Sequence, residues 1–225
     1  MEQYPVAKDK LIILIAGFED DRDFRSWYLE EHAPRLAALP PVTHYKANRT
    51  VDNSLPGLTS ATNGDDPYGV QAIDEVYGAE WSDIAECYRA LKLLGVYRVT
   101  EYALRELLTD RPLGMRTPEI KRFGLLTKPA DKTHDEAMKH WIEEHPQLCY
   151  RYLSGMATYF QNHIDKRLTK DSLPLDGFPV LSYWNLDALK YGHFCSEEIK
   201  KLLVADCMKF RSTSFVVTVD EYIFK

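Results

Sequence analysis

The sequence predicts an α+β fold in which one chain carries two copies of a βαββαβ unit. The helix-like phrase WYLEEHAPRL, which begins at Trp27, returns in altered form as HWIEEHPQL, which begins at His140. Short, β-prone apolar runs flank both phrases in the same order. The chain of 225 residues is long enough for two small units that each bury a core.

The first copy begins with an apolar run that predicts a strand and ends in turn-forming residues. An amphipathic helix follows, with Asp20 or Asp21 as its N-cap. A second strand, a long loop, a third strand after Gly69 and a short helix lead to a closing strand. The predicted ranges are 10–17, 42–51, 69–77 and 96–104 for the strands and 21–39 for the first helix.

The second copy repeats this order, and Tyr159 of its second strand matches Tyr45 of the first copy. Thr133 and Glu136 predict a capping box at the start of its long helix. Its predicted ranges are 120–128, 156–164, 177–184 and 215–224 for the strands and 133–153 for the helix. Prolines and a glycine between residues 109 and 119 interrupt the pattern, which predicts units of residues 1–113 and 114–225.

This order of elements has a consequence for packing. A four-stranded antiparallel sheet with both helices on one face leaves its other face bare. Two such sheets can cover each other, so a chain with two units can act as its own dimer. The predicted fold is therefore a pair of ferredoxin-like repeats packed sheet to sheet as an intramolecular α+β barrel.

Composition and motifs exclude several classes of function. The net charge of −6 argues against nucleic-acid binding, and the absence of a signal-like or membrane-length apolar run predicts a cytoplasmic protein without a membrane partner. The histidines at 134, 140 and 145 lack the four-residue spacing of metal ligands on a helix, so no metal site is expected. Neither Cys149 nor Cys195 has a neighbouring histidine in a recognisable motif, so thiol chemistry is not predicted.

Helical spacing identifies the first candidate residues. Tyr28 and His32 lie four positions apart, as do Trp141 and His145, so each ring pair shares one helix face. Histidine is the side chain best suited to exchange protons near neutral pH. A purely structural role, in which the imidazole completes a buried hydrogen-bond network, remains the alternative.

The second strand of each copy offers two sets of candidates, because side chains alternate between its faces. One face carries two tyrosines, an arginine and a histidine, namely Tyr45, Arg49, Tyr159 and His163. The opposite face would instead offer two amides as oxyanion donors, Asn48 and Asn162. The sequence leaves open which face lines a binding site.

The phrase FRSWYLEEHAPRL, the YKAN that follows it, and the later DGF with YWN resemble the EthD-like branch of the dimeric α+β barrel proteins. That family has the ferredoxin-like unit, usually paired as a homodimer around a shared barrel. The chain resembles a fused, two-copy version over nearly all of its length. Its second copy departs from the family pattern, with His-Pro-Gln in place of His-Ala-Pro.

The resemblance implies a cofactor-independent enzyme that acts on a small apolar aromatic, polyketide-like or lactone substrate. The reaction would be that of a lyase, such as a decarboxylase or dehydratase, or of an isomerase or cyclase. The implied acid–base residues are His145, His32, Tyr159, Tyr45 and His163. The implied substrate-binding residues are Arg49, Asn48, Asn162, Trp141, Tyr28, Tyr183 and Trp184.

Two alternatives stay open at this point. One is a cofactor-free monooxygenase of the same superfamily, which would use only the substrate and dioxygen. The other is a non-catalytic barrel protein that binds a small molecule or haem. A small-molecule substrate is the expected partner, and further dimerisation of the fused chain is left open.

Overall fold

The computed structural model of the protein describes residues 7–18, 23–51, 66–106 and 111–225. Within these residues, eight antiparallel strands form one closed barrel. The strands are β1 (Ala7–Phe18), β2 (His44–Thr50), β3 (Ala72–Tyr77), β4 (Leu91–Arg105), β5 (Ile120–Thr127), β6 (Met156–Arg167), β7 (Gly177–Tyr183) and β8 (Thr213–Ile223).

The barrel consists of two four-stranded sheets with the same internal order. The first repeat, β1 to β4, has the order β4-β1-β3-β2, and the second repeat, β5 to β8, has the order β8-β5-β7-β6. Hydrogen bonds between β2 and β8 and between β4 and β6 join the two sheets at both edges. The predicted α+β barrel of two ferredoxin-like repeats is therefore confirmed.

The helices of the first repeat are short. α1 (Phe24–Trp27) begins after Asp23, whose side chain accepts a hydrogen bond from the N–H of Arg25 at 3.0 Å. The predicted caps Asp20 and Asp21 lie outside the described residues. A wider π-helical turn (Tyr28–His32) and α2 (Ala33–Ala37) follow, and α3 (Trp81–Ile84) continues into a 3₁₀ turn (Ala85–Tyr88).

The second repeat carries longer helices. The capping box of Thr133 and Glu136 is confirmed at the start of α4 (His134–Glu143). The single helix predicted over 133–153 is divided at Glu144, because Pro146 has no N–H to continue the helical hydrogen bonding. The remaining helices are α5 (His145–Tyr152), α6 (Leu186–Gly192) and α7 (Glu197–Cys207). No helix in the described ranges has the length and apolar character that a membrane crossing needs.

Alternation along the strands separates an inner core from two outer cores. Apolar side chains such as Ile12, Phe123 and Val217 fill the barrel interior. The opposite faces of the two sheets pack against the helices of their own repeats. The predicted boundary between residues 113 and 114 falls in the connection from β4 to β5, part of which lies outside the described residues, and it stays a prediction.

A buried ionic cluster inside the barrel connects the repeats. Glu75 of the first repeat lies 2.5 Å from the Nζ atoms of both Lys10 and Lys121. Lys10 also pairs with Glu101, and Lys121 also pairs with Glu221. Because Lys121 and Glu221 belong to the second repeat, these pairs fix how the two sheets meet.

Candidate active site

In the first repeat, a hydrogen-bond network converges on the carboxylate of Asp74 in β3. Tyr28 and Tyr45 donate to Oδ1 at 2.5 and 2.7 Å. Tyr88 donates to Oδ2 at 2.7 Å, and the Nε2 atom of His32 lies 3.0 Å from the same oxygen. All five residues are at most 2% exposed. A carboxylate with four partners has used its acceptor capacity, so this network holds the helices onto the sheet.

In the second repeat, the corresponding histidine has different partners. The Nδ1 atom of His145 lies 2.8 Å from Oδ2 of Asp206, near the end of α7. Its Nε2 atom lies 3.2 Å from the Sγ atom of Cys149, one turn further along α5. Asp206 Oδ1 also lies 2.9 Å from His140 Nε2 and 3.1 Å from Lys209 Nζ. The result is a chain of contacts from Asp206 through His145 to Cys149.

The pKa shifts of Asp206, His145 and Cys149 indicate which of these three groups is charged. Burial opposes the ionised form of Asp206, but hydrogen bonds from His145, His140 and Lys209 outweigh it and lower the pKa of the carboxyl group. Burial lowers the pKa of His145 despite the nearby carboxylate. Burial also raises the pKa of the Cys149 thiol. A neutral imidazole therefore donates from Nδ1 to an ionised Asp206 and accepts the S–H at Nε2.

A cavity of about 100 Å³ adjoins His145 and Cys149. It lies between the outward face of β5, β7 and β8 and the helices α4, α5 and α7. Its inner wall is buried and mainly aromatic, with Trp141, Tyr159, Tyr183 and Phe210. Its more exposed side includes Arg122, His193, Phe194 and Arg211.

Tyr159 lines this cavity, and its hydroxyl also bonds the Cys149 thiol there. Its oxygen accepts hydrogen bonds from Trp141 Nε1 at 3.3 Å and from Gln161 Nε2 at 2.8 Å. Burial raises the pKa of Tyr159 well above its ordinary value, so the group stays protonated. With both lone pairs of the oxygen in use, the remaining function of the hydroxyl is to donate.

Tyr183 and His193 form a second polar pair on the wall. The Tyr183 hydroxyl and Nδ1 of His193 are hydrogen-bonded. Burial, together with the positive charges of Arg122 and Arg211, lowers the pKa of His193 to about 3. The ring is therefore neutral.

The structure divides the predicted acid–base residues between two places. His145 and Tyr159 line the cavity, as do Trp141 and Tyr183 from the predicted substrate-binding set. His32, Tyr45 and Tyr28 surround Asp74 instead and do not line it.

His163 lies behind the cavity wall. Its Nε2 atom is 3.1 Å from Oε1 of Gln161, and its ring stacks on Trp141 with 4.8 Å between centroids. Burial and the neighbouring His134 lower the pKa of His163 to about 3. The side chain thus supports Trp141 from outside the cavity lining.

The remaining predicted residues lie elsewhere. Asn48 and Asn162 point into the barrel, where they donate to the backbone oxygens of residues 73 and 178 at 2.9 and 3.0 Å. Arg49 pairs with Asp220 at 3.5 Å, and Trp184 is 50% exposed outside the cavity lining. The face of each second strand that carries its tyrosine is the one that meets the helices.

Sequence reasoning overlooked part of this site. The contact between His145 and Cys149, which are four residues apart on one helix, was not predicted, whereas the expectation that the thiol does no chemistry stays a prediction. That spacing was visible in the sequence. Asp206 and Arg122 left no comparable signal, since they reach the site from α7 and β5 through the fold. The described residues include no cluster of three or more His, Cys, Asp or Glu side chains that could hold a metal ion.

No family model matches the sequence, and no curated protein matches it either. An anthrone oxidase-like protein of known structure has a TM-score of 0.61 at 10% identity, over 96% of this chain and 92% of that one. A Fusobacterium nucleatum protein, provisionally designated a monooxygenase, has a TM-score of 0.54 at 6% identity, over 99% and 96%. A Lactobacillus acidophilus protein with the same designation has a TM-score of 0.50 at 10% identity, over 97% and 96%. These likenesses show a shared ferredoxin-like α+β barrel fold.

Proposed function

We propose that the cavity of the second repeat is the active site of a cofactor-independent enzyme that removes a proton from a small carbonyl or phenolic compound. The observation that carries this proposal is the position of His145, a neutral imidazole held by Asp206 at the wall of an aromatic cavity. A histidine oriented by a carboxylate in this way is suited to act as a general base. The resemblance to the EthD-like branch supports the same chemistry.

In this mechanism, the acidic C–H or O–H of the substrate replaces the Cys149 thiol as the partner of His145 Nε2. The proton moves to Nε2, and Asp206 stabilises the imidazolium that forms. The developing enolate or phenolate oxygen accepts a hydrogen bond from Tyr159, a type of interaction that contributes about 3 to 4 kcal/mol to transition-state stabilisation. Return of the proton at another atom completes an isomerisation, and departure of a leaving group completes a lyase reaction.

The size of the cavity limits the substrate. An engineered apolar cavity of about 150 Å³ in another protein binds benzene. The space beside His145, at about 100 Å³, is smaller. A compound with one ring therefore fits the proposed site better than a fused polycycle.

A second candidate function begins with the same proton transfer. The names of the structural neighbours, an anthrone oxidase-like protein and two proteins designated as monooxygenases, favour an oxygenase as much as a lyase. In that case the substrate anion would pass electrons to dioxygen after His145 has removed the proton. Oxygen uptake during turnover distinguishes this candidate from the lyase or isomerase.

The proposal is tested by finding a ligand and then removing the base. One-ring phenols, aryl ketones and lactones are screened for a rise in melting temperature, and compounds that bind are assayed for turnover and oxygen uptake. His145→Gln should lower kcat by about 10²- to 10⁴-fold. His32→Gln is the matched control, because its parent residue belongs to the same sequence phrase but lies outside the cavity.

A further variant separates two roles within the contact chain. Cys149→Ala removes the thiol that occupies His145 Nε2, so kcat should stay within about tenfold if the imidazole itself is the base. Loss of turnover in this variant would assign the attacking group to the thiol instead. Equal activities of the wild type, His145→Gln and His32→Gln would refute histidine chemistry altogether.

A further inference from the structure

Two arginines on the wall of the cavity have no anionic partner. Within the described residues, neither Arg122 nor Arg211 makes a side-chain hydrogen bond or ion pair, and the Nε atom of Arg122 is buried without an acceptor. No aspartate or glutamate is among the described residues that line this cavity. Burial lowers the pKa of Arg122 despite the nearby Tyr183 hydroxyl, because the charged form lacks a compensating carboxylate.

This lack of pairing contrasts with other cations of the same protein. Lys10 and Lys121, which are more deeply buried than either arginine, each bond two carboxylates inside the barrel. Arg49, on the outward face of the first repeat, pairs with Asp220 through Nη2, although its Nε atom is also buried without an acceptor. A partly buried charge is costly when it is unpaired, so the guanidinium of Arg122 is a group whose partner would come from a ligand.

A second unpartnered group supports the same conclusion. Ser214 of β8 lines the cavity, is 4% exposed, and has a buried hydroxyl without a hydrogen-bond partner. His193 lies close enough to both arginines for each to lower its pKa. Among the described residues, the cavity lining thus combines cationic and neutral donors without an aspartate or glutamate.

The arrangement along the cavity orients a ligand. Arg122, Arg211 and His193 are on the partly exposed side, whereas Trp141 and Phe210 are on the buried side. A molecule with one charged end and one flat apolar end would place its charge at the arginines and its ring against the aromatic wall. The Nε2 atom of His145 would then face the body of the molecule.

We propose that the substrate is a small aryl carboxylic acid, whose carboxylate binds Arg122 within the positive field of Arg211. The planar guanidinium matches a carboxylate with two parallel hydrogen bonds, which a neutral amide or ester cannot reproduce. This inference rests on the proposed function, since it names the substrate class of the same cavity.

The test is a comparison of benzoate with the neutral benzamide by isothermal titration calorimetry at fixed ionic strength. The wild type should bind benzoate about 10- to 100-fold more tightly than benzamide. Arg122→Met should remove this preference, and Arg211→Met should reduce it. Arg49→Met is the matched control and should retain the full preference, because Arg49 is already paired and lies outside the cavity lining.

Failure of the carboxylate proposal can be distinguished from failure of the proposed proton-transfer function. His145→Gln removes the base but leaves both arginines, so it should still prefer benzoate even when turnover is lost. Equal binding of benzoate and benzamide by the wild type, or no binding of benzoate at millimolar concentrations, would overturn the carboxylate proposal alone. An unchanged preference in Arg122→Met would overturn it as well.

Discussion

The two repeats bury the histidine of the same sequence phrase in opposite ways. In the first repeat, His32 shares Asp74 with three tyrosines, and the carboxylate is fully used within the protein. In the second repeat, His145 is held by Asp206 from a helix, and its other nitrogen meets a thiol at a cavity wall. One scaffold thus supports both a closed polar network and a buried imidazole at the wall of a cavity.

The strand pairing identifies the substitution behind this difference. Two residues beyond the matching tyrosine of each second strand, Ala47 lies opposite Asp74, and Gln161 lies opposite Pro179. The place that holds a carboxylate in the first repeat therefore holds an apolar ring in the second. Pro179 lines the cavity.

Aromatic substitutions act in the same direction. Trp141 takes the place of Tyr28 four residues before the histidine, and its Nε1 donates to a tyrosine rather than to a carboxylate. The ring centroids of Tyr88 and His32 are 4.9 Å apart. In the second repeat, the ring centroids of Phe210, which has no hydroxyl, and His145 are 4.8 Å apart. The same barrel thus carries a structural network where one carboxylate and two tyrosine hydroxyls are present, and a cavity where a proline, a tryptophan and a phenylalanine stand in their places.

Matched substitutions of the two carboxylates provide the largest expected effect. Asp206→Asn should lower kcat by up to as much as His145→Gln, about 10²- to 10⁴-fold, because an amide does not enforce the His145 tautomer with its hydrogen on Nδ1. Asp74→Asn should leave kcat per folded molecule unchanged. Steady-state kinetics on a substrate found by the ligand screen measures both values, and equal losses in the two variants would contradict the division of roles between the repeats.

The same two substitutions should rank in the reverse order in their effect on the free energy of unfolding. Asp74→Asn is expected to lower the free energy of unfolding by about 3 kcal/mol, because four buried donors lose a charged acceptor. Asp206→Asn should cost less, since its partners His140 and Lys209 are partly exposed and can turn to water. Urea unfolding monitored by circular dichroism measures both, and a larger loss for Asp206→Asn would reverse the interpretation of Asp74 as the structural carboxylate.

The sequence alone predicts the fold well because the signal is local and repeated. Alternating or continuous apolar runs mark each strand, and the observed bounds differ from the predicted ones by a few residues, as in β4, which starts at Leu91 rather than at residue 96. The break after Glu143 was also readable, since Pro146 stands inside the predicted helix. Closure of the barrel follows because the two sheets share one strand order and each has an apolar face that its own helices do not cover.

The site could be predicted only in part, because its asymmetry arises from contacts that are distant in sequence. Asp206 is 61 residues from His145, and Asp74 is 42 residues from His32. The duplicated phrase favours equal sites in both repeats, and nothing in it distinguishes them. Arg122 is unpaired because the described elements around it place no carboxylate beside it, and no local sequence pattern predicts that arrangement.

The smallest expected effect concerns pH and again separates the repeats. Burial places the pKa of His145 below its ordinary value of 6.5, and Asp206 opposes this shift without reversing it. Because the neutral imidazole is the proposed base, kcat/KM should rise with pH through a limb centred below 6.5 and then level off. The profile is measured with a substrate that does not titrate in this range. Asp74→Asn should leave the limb in place, since His32 takes no part. A limb centred above 6.5, or one displaced by Asp74→Asn, would place the base outside the second repeat's contact chain.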